Sequence, residues 1–140
     1  MKHLEVKQLY QELNILLRYL VEKKVANYHL NYGLDRNETK LIEAVKAIGK
    51  NINAELLEIE QKAVKFAKET TEKGGKECSI VEAIEQIGEK KRHEELMEEY
   101  RQFLEEENEF TPYYLNPEKL ETMEIEYPYY QILKNFLPNV

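Results

Sequence analysis

A chain of 140 residues, 42% hydrophobic and 34% charged, has the length of one domain with a respectable core. No apolar run approaches the roughly 18 residues a membrane span needs, and the Met1–Leu4 start lacks a signal peptide's apolar segment, so a cytoplasmic protein without membrane contact is expected. The formal charge of −7 is local: residues 94–109 hold eight glutamates against Arg101 alone, whereas 1–93 carry 17 Lys/Arg against 15 Asp/Glu. Such a block disfavours direct contact with nucleic acid, whose phosphates need a basic surface.

Val6, Leu9, Leu13, Leu16 and Leu20 step by three and four, with Tyr10, Leu17 and Val21 widening the stripe, so a first helix starts near Leu4. The helix either stops near Lys24 or, because Val25, Tyr28 and Tyr32 keep the spacing, runs on to about residue 30, which is the expected end. Asn31, Gly33, Asp35 and Asn37 are turn formers, which predicts a bend there with Asn37 capping a second helix over 37–69. That helix carries a seven-residue apolar period: Ile42, Gly49, Leu56 and Ala63 at one core position, Val45, Ile52, Ile59 and Phe66 at the other. Gly49 offers a partner helix a close approach. Ile42, Val45, Gly49, Ile52, Leu56, Ile59 and Phe66 are the expected self-association seam, most simply of a homodimer.

Gly74-Gly75 reads as a loop, since no strand precedes it and phosphate-cradle spacing is missing. Ser79-Ile80-Val81-Glu82 has the form of a capping box and starts a third helix over 79–107. Its stripe of Ile80, Ala83, Ile84 and Ile87 resumes at Leu96, Met97, Tyr100, Phe103 and Leu104 after the polar stretch 89–95, implying a phase shift near His93. Beyond Glu109 the composition changes: all four prolines and seven of the 14 aromatic residues lie in the last 31 positions. Met123, Ile125 and Tyr127 alternate with Glu124 and Glu126, the period of a half-exposed strand, and Phe110–Leu115 is its expected partner across Asn116-Pro117. Tyr129–Leu137 then forms a terminal helix docking through Ile132, Leu133, Phe136 and Leu137. The expected fold is mainly α: over 1–109 a leading helix against a long antiparallel helical hairpin, a three-helix bundle or coiled coil, with a small β-containing tail over 110–140.

No cofactor or metal site is expected. His3, His29 and His93 are dispersed, and Glu89 with His93 makes only one pair. Glu94-Glu95-Leu96-Met97-Glu98 resembles half of the magnesium-binding signature of all-helical nucleotide pyrophosphatases, but the only later glutamate pair, Glu118 and Glu121, follows a proline. Cys78 lies just before a helix start without an identifiable base, which suits a bystander thiol. The remaining chemistry is that of contact surfaces. Glu94, Glu95, Glu98, Glu99, Glu105 and Glu106 suit a basic partner surface, and Tyr113, Tyr114, Tyr127, Tyr129 and Tyr130 have the flat faces and polar tips that anchor interfaces.

Residues Lys24–Lys68, especially Val25 through Ile42, and the tail from Tyr100 to Pro138 resemble short helical proteins of tailed bacteriophages and prophages. The resemblance implies a viral accessory or assembly role in the host cytoplasm, with no catalytic residues to carry over. The expected function is therefore non-enzymatic binding of another protein. Two alternatives stand beside it: an acidic nucleic-acid mimic that inhibits a host enzyme through Glu94–Glu109, and the metal-dependent nucleotide pyrophosphatase.

Overall fold

The structure, a computed structural model, describes residues 1–74, 77–120 and 123–138; Gly75 and Glu121 lie outside the described residues. Among these residues there are six α-helices and no strand, so the fold is mainly helical. No described helix is long and apolar enough to cross a membrane. The chain divides into two compact units, one made of Met1–Gly49 with the chain from Glu107 onward, the other of Lys50–Glu106. The division does not fall at residue 109.

In the first unit, α1 (His3–Glu22) buries Val6, Leu9, Leu13, Leu16 and Leu20, the stripe its spacing predicts. It takes the earlier of the two ends the spacing allows, not the one near residue 30. Lys24 adopts φ +54°, and the amides of Lys24 and Val25 bond back to the carbonyls of Val21 and Leu20. This is a Schellman closure, usually built on glycine. Because the left-handed conformation costs an L-residue about 1–2 kcal/mol, Lys24→Gly should stabilise the first unit by about 1 kcal/mol, seen as a higher urea midpoint. An unchanged midpoint would mean that the lysine side chain offsets the strain.

Helix α2 spans Tyr28–Gly49. Asn27 caps it, its Oδ1 accepting the Leu30 amide at 3.0 Å while its Nδ2 donates to the Lys119 carbonyl. The predicted bend at Asn31–Asn37 therefore lies inside a helix. Its glycine serves packing instead: a Cβ at Gly33 would sit 2.6 Å from Leu115 Cγ. Asn37 is no cap either. It is the one buried polar side chain among the described residues, amid Leu30, Leu34 and Leu41.

The expected β-containing tail is not formed. Phe110–Leu115 lies along α2, where Asn37 Oδ1 accepts the Tyr113 amide and Nδ2 donates to the Tyr113 carbonyl, both at 2.8 Å. Lys40 Nζ donates to the Thr111 carbonyl, and the Leu115 amide donates to that of Phe136. With those main-chain groups engaged, Met123–Tyr127 has no antiparallel neighbour; Tyr127 instead opens helix α6 (Tyr127–Leu133), with Pro128 in its first turn. A 3₁₀ turn over Pro117–Leu120 precedes it and another over Lys134–Phe136 follows. Leu133 and Phe136 are buried and Ile132 and Leu137 half-buried, so the terminal helix docks through the expected residues.

In the second unit, α3 (Ala54–Gly74) begins where Asn53 Oδ1 accepts the Glu55 amide at 2.8 Å. The predicted helix 37–69 is thus broken at residues 50–53, and its apolar seam falls on two helices. Gly49 closes α2 with open space beside it rather than a close approach. Leu56 and Ile59 pack on Leu96, and Ala63 on Ala83 and Ile84, so this half of the seam is covered from within the chain. The predicted third helix is also two: α4 (Ile80–Gln86), capped by Ser79 Oγ on the Glu82 amide, and α5 (Lys90–Leu104). Gly88, at φ +76°, ends α4 in a second Schellman closure. Arg92 donates from Nε and Nη2 to the two Glu55 oxygens at 2.8 and 2.7 Å, tying α5 to the start of α3 and holding the Glu55 carboxyl below its ordinary pKa.

Candidate protein-binding surface

The inward face of α2 carries Leu30, Leu34, Asn37 and Leu41, so helical geometry turns Tyr28, Tyr32 and Arg36 outward, one turn apart. Tyr28 is 91% and Tyr32 58% exposed. Asn37 anchors Tyr113 beside this row. The Tyr113 ring meets Tyr32 edge-on at 6.2 Å between centroids, and the Arg36 guanidinium lies 4.7 Å from the Tyr113 centroid while donating to the Tyr32 hydroxyl at 3.2 Å. Lys40 extends the row, its amine 5.6 Å from the Phe110 ring centroid. Each cation held over a ring contributes about 0.5–1 kcal/mol at an exposed site, enough to fix side chains that would otherwise wander.

The α6 tyrosines divide into two kinds. Tyr129 stacks on Tyr19 at 3.7 Å with the rings 8° from parallel, and the Tyr19 hydroxyl accepts the Glu126 amide. Tyr129 is half-buried, with one face taken up by Tyr19. Tyr127 and Tyr130 point out, 71% and 41% exposed, and Tyr114 is likewise exposed. Beneath Tyr130 lies a cleft of about 280 Å³, lined by Leu120, Met123, Ile125, Leu133 and Leu137 among others, with no charged residue in its described lining.

The acidic block is exposed at Glu94, Glu95, Glu98, Glu99, Glu105 and Glu106, and part of its charge is answered locally, by Arg92 on Glu95 at 3.3 Å and Arg101 on Glu98 at 3.0 Å. The histidines are separate: His3 Nδ1 accepts from Asn108, His93 lies 3.6 Å from Glu60, and His29 is exposed. Among the described residues no three His, Cys, Asp or Glu side chains converge to hold a metal ion. Cys78 is half-buried against the Ala63–Ala83 cluster.

Of the tyrosines singled out in the sequence, Tyr114, Tyr127 and Tyr130 are exposed, and Tyr113 and Tyr129 are half-buried. Tyr28, Tyr32 and Arg36 were missed, because the first two continue the apolar spacing of α1; their signal was the i, i+4, i+8 row opposite Leu30 and Leu34. No protein-family model, curated protein or solved structure matches this chain.

Proposed function

We propose that the chain is a non-enzymatic protein-binding module and that the first unit presents the contact surface. The observation that carries this reading is the set of five tyrosines, Tyr28, Tyr32, Tyr114, Tyr127 and Tyr130, that stay 41–91% exposed on one small unit. Tyrosine and arginine dominate binding energy at protein interfaces because they bring large area with few rotatable bonds. Arg36 held between Tyr32 and Tyr113 is an anchor already ordered before contact. In a phage setting, as the sequence resemblance implies, the partner is a virion or host protein. Self-association through the α3 half of the seam has less support, since Leu56, Ile59 and Ala63 already have neighbours.

A photo-crosslinking amino acid placed at Tyr28, Tyr114 or, as control, Glu72 tests the reading in the producing cell. A discrete adduct from the two tyrosine positions, absent at Glu72 and reduced at least tenfold by Arg36→Ala with Tyr32→Ala, is expected. Adducts alike at all three positions, or at none, would overturn it.

A further inference from the structure

The cleft beneath Tyr130 adjoins a second concavity of about 600 Å³, and the two share Met123 and Ile125. The second is lined by Tyr19, Lys23, Val25, Glu124 and Glu126, two carboxylates against one amine, so apolar and net acidic surface lie side by side along one short piece of chain, with the Lys134 amine 5.9 Å from the Tyr130 ring centroid nearby. Burial alternates along that piece: Met123 and Ile125 are half-buried, Glu124 and Glu126 exposed. Among the described residues, the main-chain N–H and C=O of Glu124 and Ile125 have no hydrogen-bond partner. Glu126 has a loose ion pair with Lys23 at 3.7 Å, whereas Glu124 has none among the described residues.

We infer that Met123–Glu126 seats a short extended segment of a partner protein, with one bulky apolar side chain in the cleft beneath Tyr130 and a lysine or arginine beside it on Glu124 and Glu126. The inference rests on the protein-binding reading and names its partner's chemistry. Three features select this occupant. The apolar cleft, at about 280 Å³, has room for one indole or leucyl side chain. The free main-chain groups match another peptide, which supplies a donor and an acceptor at each residue. With Glu126 partly answered by Lys23, Glu124 is the carboxylate that favours a cation here and disfavours the anionic head of a fatty acid or phospholipid. A second copy laying the same segment antiparallel to itself would oppose Glu124 to Glu126, an unfavourable like-charge pair.

The probe is the blocked tripeptide acetyl-Lys-Trp-Lys-amide, titrated into the isotope-labelled full chain and followed by amide NMR. Acetyl-Glu-Trp-Glu-amide, acetyl-Lys-Gly-Lys-amide and decanoate serve as comparison probes. Saturable shifts at Ile125, Tyr130 and Leu133 are expected with the Lys-Trp-Lys probe, with at least tenfold weaker binding of the other two peptides. Glu124→Lys with Glu126→Lys, both at exposed positions, should reverse the preference between the Lys and Glu peptides in a chain whose other amide shifts match the parent. Equal binding of Lys-Trp-Lys and Lys-Gly-Lys, an unchanged preference in the double variant, tighter binding of decanoate, or a dimer dissolved by Ile125→Lys would each overturn the inference. Cellular adducts at Tyr28 and Tyr114 together with failure of the tripeptide would remove this site alone; loss of those adducts would remove the protein-binding reading itself.

Discussion

Replacing Asn37 by alanine is expected to destabilise the first unit by about 2–4 kcal/mol, the largest effect of any single polar substitution in the chain. Asn37 is fully buried, and it spends its amide on three main-chain bonds: Oδ1 from the Tyr113 amide, Nδ2 to the Tyr113 carbonyl and Nδ2 to the Gly33 carbonyl of its own helix. Removing it leaves both polar groups of Tyr113 without partners at a partly buried position. Asn37→Leu, which restores most of the volume, should cost nearly as much, because the loss is of hydrogen bonds rather than packing. Asn37→Asp keeps the acceptor for the Tyr113 amide but turns a carboxylate oxygen toward two carbonyls. Burial and those carbonyls raise the introduced group's folded pKa above its unfolded value of about 3.9. Its protonated form can donate where Nδ2 did, so this variant should gain stability as the pH falls from neutrality toward that value, and lose it again as the pH rises. Urea denaturation at several pH values checks all three. A midpoint for Asn37→Leu equal to that of the parent chain would show that the clamp contributes nothing.

The second large effect is expected at Gly33, and there the sign carries the information. Glycine to alanine inside an α-helix ordinarily stabilises by about 1 kcal/mol. At Gly33 the new Cβ would lie 2.6 Å from Leu115 Cγ and 2.9 Å from Cδ2, and Leu115 is itself buried. Overpacking of this kind costs typically 1–3 kcal/mol, so Gly33→Ala should destabilise on balance, and Gly33→Val, with two further carbons and poorer helix propensity, by about 3 kcal/mol. Leu115→Ala in the same chain should relieve the clash, so that the two changes together cost less than the sum of their separate costs. Gly49→Ala is the control. Nothing lies within 4 Å of a Cβ there, and a neutral or slightly stabilising effect is expected. Two similar alanine effects at Gly33 and Gly49 would mean that Leu115 simply steps aside.

What could be read from the chain alone followed from local signals that had no competitor. The five central positions of the α1 stripe are buried although Val21 at its margin is exposed, Ser79 caps α4, and Leu133 and Phe136 dock the terminal helix. The breaks were hidden where the structure uses an unexpected residue. Lys24 takes a position that glycine usually marks, and Tyr28 and Tyr32 continue the apolar spacing across that break although they face outward. The same apolar period runs unbroken from Ile42 to Phe66 while the backbone stops at Gly49 and restarts at Asn53, since periodicity records which residues want burial and not whether one helix carries them. Gly88 was the missed marker of the α4 end. In the tail, alternation at Met123–Tyr127 was real in burial, but alternation cannot supply a neighbouring strand. The candidate surface was half legible: Tyr114, Tyr127 and Tyr130 stood out by composition, whereas one face of Tyr129 stacks on Tyr19, a contact across 110 positions that no local pattern encodes.

The first unit is discontinuous, interrupted after Gly49 and completed only from Glu107. During synthesis the ribosome therefore finishes Lys50–Glu106 before any of the residues that cover Gly33 and Asn37 exist. The second unit has all its own segments in hand at that moment, while α1 and α2 must wait with Leu115, Leu133 and Phe136 still to come. Closing that gap of 76 positions between Asn37 and Tyr113 is a slow, non-local step, and in the interval the nascent first half exposes apolar surface to chaperones and to other chains.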